Sequence, residues 1–348
     1  MREVLLSECI QILYENNFVI SKPSLDRSCF DLIARRGNTR LLIKVLKNID
    51  SLSSQQSDEL CKIASIVSAT PIIVGSRTRN STMEDEVVYE RHHIKAVTTK
   101  TFENQITGRP PVVYADRGGF FVNIDGSVLK RTREQLNISV GELAEISRVS
   151  RKTIYKYEQN EANPSAEVAI KIEEYLDVPL VKGLHIIRED IEISSREKHV
   201  EPNINDNIKN EVSGINSEST KNHQSHQSHQ NQFEEDSFKS NVLDLFSDLG
   251  FNVTETTRAP FDALGEDKEN SKNLLFTNIQ ESSNEEVKRK ALIVNEISKL
   301  FNSHSILILE NKDMQYKRIA ALSLKELEQM GDTEELLNFL KDKNKNKK

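Results

Sequence analysis

Between residues 196 and 236 the chain is rich in Asn, Ser, His, Gln and Glu, has almost no aliphatic clusters, and contains the repeat His223-Gln-Ser-His226-Gln-Ser-His229. Such a stretch cannot bury a core, so it reads as a disordered low-complexity linker that divides the chain. Three histidines at three-residue spacing also make a weak metal pattern. No cysteine or carboxylate is placed to complete a tetrahedral set, and the bland reading is preferred.

On either side of this stretch the same order of elements occurs twice. The first copy has an amphipathic helix over residues 4–14, Phe18, a turn at Pro23, then Phe30-Asp31-Leu32, an apolar strand over 41–46, a helix over 58–68 and a strand over 71–75. The second has a helix over 242–249, Phe251, Phe261-Asp262-Ala263, a strand over 274–276, a helix over 285–300 and a strand over 306–309. Phe18 and Phe251 lie 233 positions apart, as do Leu42 and Leu275, while Phe30 and Phe261 lie 231 apart. A near-constant offset points to a diverged duplication. Two unrelated α/β units with common grammar are the alternative. Between the copies, Val112-Val113-Tyr114 and Phe120-Phe121-Val122-Asn123-Ile124 flank a Gly-rich turn and read as a β-hairpin.

A length of 348 residues suits two or three domains. Cys9, Cys29 and Cys61 form no C-x-x-C pair, which argues against a disulfide framework and a thiolate zinc site. The apolar runs fall far short of the roughly 20 residues of a membrane span, and the N-terminus lacks a signal-peptide pattern. These features predict a soluble, cytoplasmic protein without membrane contact. The net charge of −7 argues against a nucleic-acid partner until it is mapped: residues 1–190 hold 26 basic and 26 acidic side chains, and the remainder 21 and 28. From Lys130 to Lys156 seven bases face three acids, a local +4.

In that window Ser139 and Glu142 form a capping-box pattern opening a helix whose buried side holds Leu143, Ala144 and Ile146. Val149 falls in a tight connection. Ser150 then caps a second short helix with Ile154 facing the core and Arg151, Lys152, Thr153, Tyr155 and Lys156 on the outer face.

These residues resemble the lambda-repressor/Cro type of helix-turn-helix over about 60 positions, with Asn163-Pro164 matching the break before a fourth helix over 165–176. The resemblance implies that Arg133 and Glu158 form an internal ion pair and are structural. It implies DNA contacts at Ser139, Arg148, Ser150, Arg151, Lys152, Thr153, Tyr155 and Lys156, and a helix-turn-helix core of Leu143, Ala144, Val149 and Ile154. Two positions depart from it. Arg148 stands where Gly is usual, at a cost of about 1 kcal/mol if the backbone there is left-handed. Val140 stands where Gln often touches phosphate. The whole arrangement resembles an archaeal family of helix-turn-helix transcriptional regulators, best over residues 1–190.

The α/β copies also resemble the restriction-endonuclease-like core. That chemistry needs an Asp followed by an acid-x-Lys strand holding a divalent metal. After Asp31 no acid occurs before Asp50, and Lys44 or apolar neighbours fill the required position. In the second copy Glu266-Asp267-Lys268 has the pattern but reads as a polar loop. Both units are therefore expected to be inactive, with no catalytic residues, metal or cofactor.

The expected fold is α/β plus all-α: two diverged restriction-endonuclease-like α/β units flanking a central five-helix Cro-type helix-turn-helix domain. The expected boundaries are 1–109 for the first unit, 110–126 for a hairpin connector, 127–190 for the DNA-binding domain, 191–236 for the linker, 237–335 for the second unit and 336–348 for a basic tail. The expected function is sequence-specific regulation of transcription, by a homodimer on double-stranded DNA, with the acidic C-terminal unit facing the transcription machinery. A metal-dependent nuclease and a protein-bridging adaptor are the alternatives.

Overall fold

The computed structural model describes residues 2–23, 28–188, 226–311, 316 and 318–345. The first unit comprises helix α1 (Arg2–Glu15), strands β1 (Val19–Ser21), β2 (Leu32–Arg36) and β3 (Thr39–Asn48), helix α2 (Ser54–Ile66), strands β4 (Thr70–Arg77), β5 (Val87–Arg91) and β6 (Ile94–Val97), and helix α3 (Thr99–Ile106). Strand β3 is apolar on both faces because both are covered. Leu41, Ile43 and Val45 pack with Leu5, Leu6, Cys9 and Leu13 of α1, while Leu42 packs with Leu60, Ile63 and Ala64 of α2.

Strands β7 (Val113–Asp116) and β8 (Gly119–Val122) form the hairpin, and β7 runs parallel to β5. The hairpin therefore extends one eight-stranded sheet of order β1-β2-β3-β4-β6-β5-β7-β8, where a separate connector was expected.

Helices α4 (Gly126–Gln135), α5 (Val140–Ser147), α6 (Arg151–Glu158) and α7 (Ala166–Leu176) follow. The domain thus has four helices among the described residues, and the expected fifth is absent there. After Asp177, at φ 49°, Pro179 has no N–H to continue a helix. The chain instead runs back along the hairpin: Val181 bridges Ile124, and Lys182 N–H donates to Asn123 O. Leu184, Ile186 and Ile187 then enter the α1 side of the first unit, so the helical domain ends before the boundary expected at 190.

The second unit comprises α8 (His226–Asp248), β9 (Phe251–Glu255), β10 (Ala263–Asp267), β11 (Leu274–Gln280), α9 (Glu285–Leu300), β12 (His304–Leu309), β13 (Ala321–Ser323), α10 (Leu324–Glu328) and α11 (Thr333–Lys345). Of the expected linker, residues 191–225 lie outside the described residues. From His226 the chain is helical, because a helix nucleated by its packed end, with Val242 and Phe246 buried, propagates backwards through residues that contain no Pro or Gly. The expected basic tail is also corrected. Residues 336–345 belong to α11, and its Leu336, Leu337 and Leu340 form a buried stripe.

The second sheet has order β13-β12-β11-β10-β9, with antiparallel pairing over β9-β10-β11 and parallel pairing over β11-β12-β13. The first unit has the same pattern over β1-β2-β3-β4-β6. Asp31 N–H donates to Ile43 O and Asp262 N–H to Thr277 O, so the β3 and β11 positions correspond at an offset of 234. Leu42 thus matches Phe276 rather than Leu275. The one-residue shift decides which face a side chain occupies.

The two units flank the helical domain in sequence but pack on each other in space. Cys29, Phe30, Leu60 and Ile63 share one core with Phe261, Phe276, Ile297 and Phe301. Each fully buried side chain of this kind contributes about 1.5–3 kcal/mol. The polar contacts run both ways. Glu59 of α2 accepts from the N–H groups of Thr257 and Arg258 at 3.0 and 2.7 Å, while Arg35 of β2 donates to Leu300 O and Asn302 Oδ1 at 2.9 and 2.7 Å.

Candidate nucleic-acid interface

The helical domain is seated by its entry. Asp125 caps α4 by accepting from Ser127 and Val128 N–H, and Lys182 holds its other oxygen at 2.9 Å. That hydrogen bond from Lys182, with the one from Val128 N–H, keeps the Asp125 carboxyl below its ordinary range. Gly126 is required at this point. A Cβ there would lie 2.2 Å from Tyr157 O, so α4 starts against the backbone of α6. Across the same contact, Arg133 Nε donates to Glu158 Oε1 at 2.6 Å and its second nitrogen to Oε2 at 3.3 Å. Both side chains are nearly inaccessible, 10% and 3% exposed. Arg133 is thus absorbed internally and is not offered to a partner.

Ser139 caps α5 by accepting from Glu142 N–H at 3.0 Å. The expected capping box is only half formed, because the Glu142 carboxylate accepts from Tyr175 OH at 2.7 Å instead of returning to the cap. Helix α5 ends at Arg148, which has φ 56° and ψ 39°, the left-handed state that the Gly position implied. The turn then places Ser150 as N-cap of α6, accepting from Thr153 N–H at 3.0 Å. Leu143 and Ile154 are fully buried between the helices, Ala144 is 4% exposed, and Val149 is half-buried beside them.

The outer face of α6 presents Arg151, Lys152, Tyr155 and Lys156 to solvent, Tyr155 being 52% exposed. Thr153 is half-buried, and its hydroxyl meets that of Ser150 at 2.8 Å. The hydroxyls of Ser139 and Ser150 are thus engaged as caps, and the exposed cations dominate the surface. The Arg151 guanidinium lies across the first turn of α5, with Nε 2.9 Å from where a Cβ on Gly141 would be. Glycine there gives the arginine room to lie between the two helix N-termini. Sequence reasoning missed the Gly126, Gly141 and Tyr175 contacts, since each depends on which helix crosses which.

The nuclease-like positions are built differently. Asp31 Oδ1 meets Arg2 at 2.6 Å and Lys44 Nζ at 3.3 Å, and its Oδ2 accepts from Val45 N–H at 2.7 Å. Lys44 also donates to Ser28 O at 2.5 Å, and the residue two before it on the strand is the fully buried Leu42. Asp262 repeats the plan: Lys290 at 3.0 Å, Ile279 N–H at 2.9 Å, and Asn278 donating to Pro260 O. A divalent metal does not fit either position. Each aspartate already has an ammonium against it, and a dication brought beside that ammonium would be repelled. Among the described residues no three His, Cys, Asp or Glu side chains gather into a metal-holding group. Glu266-Asp267-Lys268 is corrected from a loop to the end of β10 and its exit. Its Asp267 is held by Asn273 and Glu269 N–H, and Lys268 donates to Ser247 O, so it does not join Asp262.

Comparison with known proteins matches residues 2–111 to the PD-(D/E)XK superfamily domain and residues 129–182 to a helix-turn-helix family. Similar proteins carry the name "Putative HTH-type transcriptional regulatory protein". One from Methanococcus maripaludis is 58% identical over the whole of both chains. One from Methanocaldococcus jannaschii is 48% identical over 98% of this chain and 97% of its own. One from Thermococcus gammatolerans is 32% identical over 97% of this chain and 96% of its own. No helix among the described residues is long and apolar enough to cross a membrane.

Proposed function

Because the chain belongs to this archaeal family of helix-turn-helix transcriptional regulatory proteins, we propose that it binds double-stranded DNA sequence-specifically with the N-terminal half of α6 in the major groove. The observation that carries this is the α5–α6 pair, whose buried side is closed by Leu143, Ala144 and Ile154 while Arg151, Lys152, Tyr155 and Lys156 remain outside. A helix entering the major groove brings its first residues to base edges, and cations there match guanine O6 and N7. Arg151 and Lys152 read bases, Thr153 meets a thymine methyl, and Tyr155, Lys156 and Arg148 hold phosphates. Ser139 and Ser150 lie where the helix N-termini face the backbone.

A second copy supplies a second recognition helix for a paired half-site. Because the shared core is closed within one chain, that copy attaches through another surface, and the acidic C-terminal unit remains available to protein partners. The nuclease-like units act as a scaffold without catalysis, since both aspartates are held by amines.

The test is equilibrium binding of the full chain to DNA fragments selected from a genomic pool, at two salt concentrations. The expected result is a retained sequence preference that falls by about tenfold or more in Arg151→Ala and Lys152→Ala. No preference at either salt overturns the reading. Incubation with duplex or branched DNA and magnesium is expected to leave the DNA intact; cleavage abolished by Asp262→Ala would reverse the scaffold assignment.

A further inference from the structure

A cavity of about 620 Å3 lies where the first unit meets the helical domain. Its walls come from the β5–β6 turn, the hairpin, the α6–α7 break and the segment returning to the first unit. The basic groups among the described residues of the lining are His93, Lys95, His185 and Arg188, and none of the described lining residues is a carboxylate. From outside the lining Glu90 pairs with Lys95 at 2.5 Å and meets His93 Nδ1 at 3.7 Å, which leaves His185 and Arg188 as the basic groups it does not touch. The size suits a small molecule, and the lining selects for negative charge. A second cavity of about 590 Å3 lies at the junction of the two α/β units, but Arg35 and Arg36 there are already bound to Leu300 O and Asn16 O.

Two features mark the first cavity as built. The turn between β5 and β6 consists of His92 and His93, both at positive φ, 49° and 63°, where Asn-Gly is the ordinary choice. Positive φ at both central residues is what a two-residue hairpin turn of this hand requires, and the turn carries His93 to the rim of the cavity. The His92 ring is anchored to Leu52 O at 3.2 Å, and His93 stands out with its side chain 97% exposed. The second feature is a polar bridge on the opposite wall. The Asn163 amide donates to Tyr114 OH and to Asn123 Oδ1, both at 2.9 Å, joining the α6–α7 break to the hairpin.

We propose that this cavity binds a small, multiply charged oxyanion, phosphorylated or carboxylated, as an effector that changes how the helical domain sits on the α/β body. The ligand meets the basic side chains on one wall and competes for the Tyr114 hydroxyl and Asn163 amide on the other. The regulatory half of this statement rests on the DNA-binding reading; the binding half does not.

The experiment is calorimetric titration of the full chain, without DNA, with pyrophosphate and separately with citrate at constant ionic strength. Wild-type protein is expected to bind at least one of them saturably with one site per chain, and Lys95→Gln with His185→Gln to weaken it at least about tenfold. If the double variant does not fold, Lys95→Gln alone supplies the comparison, with a smaller loss in the same direction expected. The bound anion is expected to shift DNA affinity of the wild type threefold or more, and not that of Asn163→Ala. Absence of saturable binding by both anions, or equal binding in wild type and variant, overturns the proposal. A variant that loses DNA affinity without any anion would assign the cations to the DNA backbone and also overturn it.

Discussion

Arg148 holds a backbone state that costs a residue with a side chain about 1 kcal/mol relative to glycine. Arg148→Gly is expected to raise stability by up to about that amount in urea denaturation. The same change removes a proposed phosphate contact, so the salt dependence of DNA binding should fall by about one phosphate's worth of slope. The Arg133–Glu158 pair behaves in the opposite way. Removing one partner leaves the other charge buried, so Glu158→Ala is expected to lose about 3–5 kcal/mol, while Arg133→Met combined with Glu158→Leu recovers most of it. Urea denaturation of the three proteins checks this; equal loss in the single and double variants would show that packing, and not the stranded charge, decides the cost.

At the scale of elements, the cap of α4 gives a pH-dependent prediction. Asp125 titrates below its ordinary value of 3.8 in the folded chain, first through Lys182 and then through Val128 N–H. A depressed carboxyl contributes its full stability above the unfolded value and loses it as pH falls through the folded one. Asp125→Ala is therefore expected to cost about 1 kcal/mol at neutral pH, with the gap to the parent closing below pH 3.8 in acid titrations followed by circular dichroism. Helices and strands such as α9 and β12 were legible in the sequence because apolar periodicity and caps are local. The Ser139 and Ser150 caps and the Arg148 turn were legible for the same reason. The half-formed capping box was not, because Tyr175, thirty-three residues on, takes the Glu142 carboxylate. Helix α11 was hidden by its Lys and Asn composition, although Leu336, Leu337 and Leu340 carried its stripe. The one-residue shift between β3 and β11 could be seen only through paired backbone bonds.

For the whole molecule, the shared core makes the C-terminal unit part of the folded state of the first. Cys29 reports on this, because it lies in that core and its N–H donates to Arg258 O. Burial pushes the Cys9 and Cys29 thiols up to about 12, whereas Cys61 is only partly covered. Alkylation of the full chain near neutral pH should modify Cys61 alone. In a chain ending at residue 190, Cys29 should become reactive while Cys9, within the first unit's own core, stays protected; protection of both would show that the second unit is not needed to close the core. Sequence reasoning found two units but could not place them together, since burial of Phe30 against the second unit's apolar residues is a tertiary fact. The central claim is that α6 reads base edges in the major groove. It is tested most directly by methylation interference on a selected fragment, with full-length protein. Methylation of guanine N7, a major-groove atom, at a few positions is predicted to abolish binding, and Arg151→Ala to lose the effect at one of them. Interference confined to adenine N3 in the minor groove, or none at all, would contradict the account.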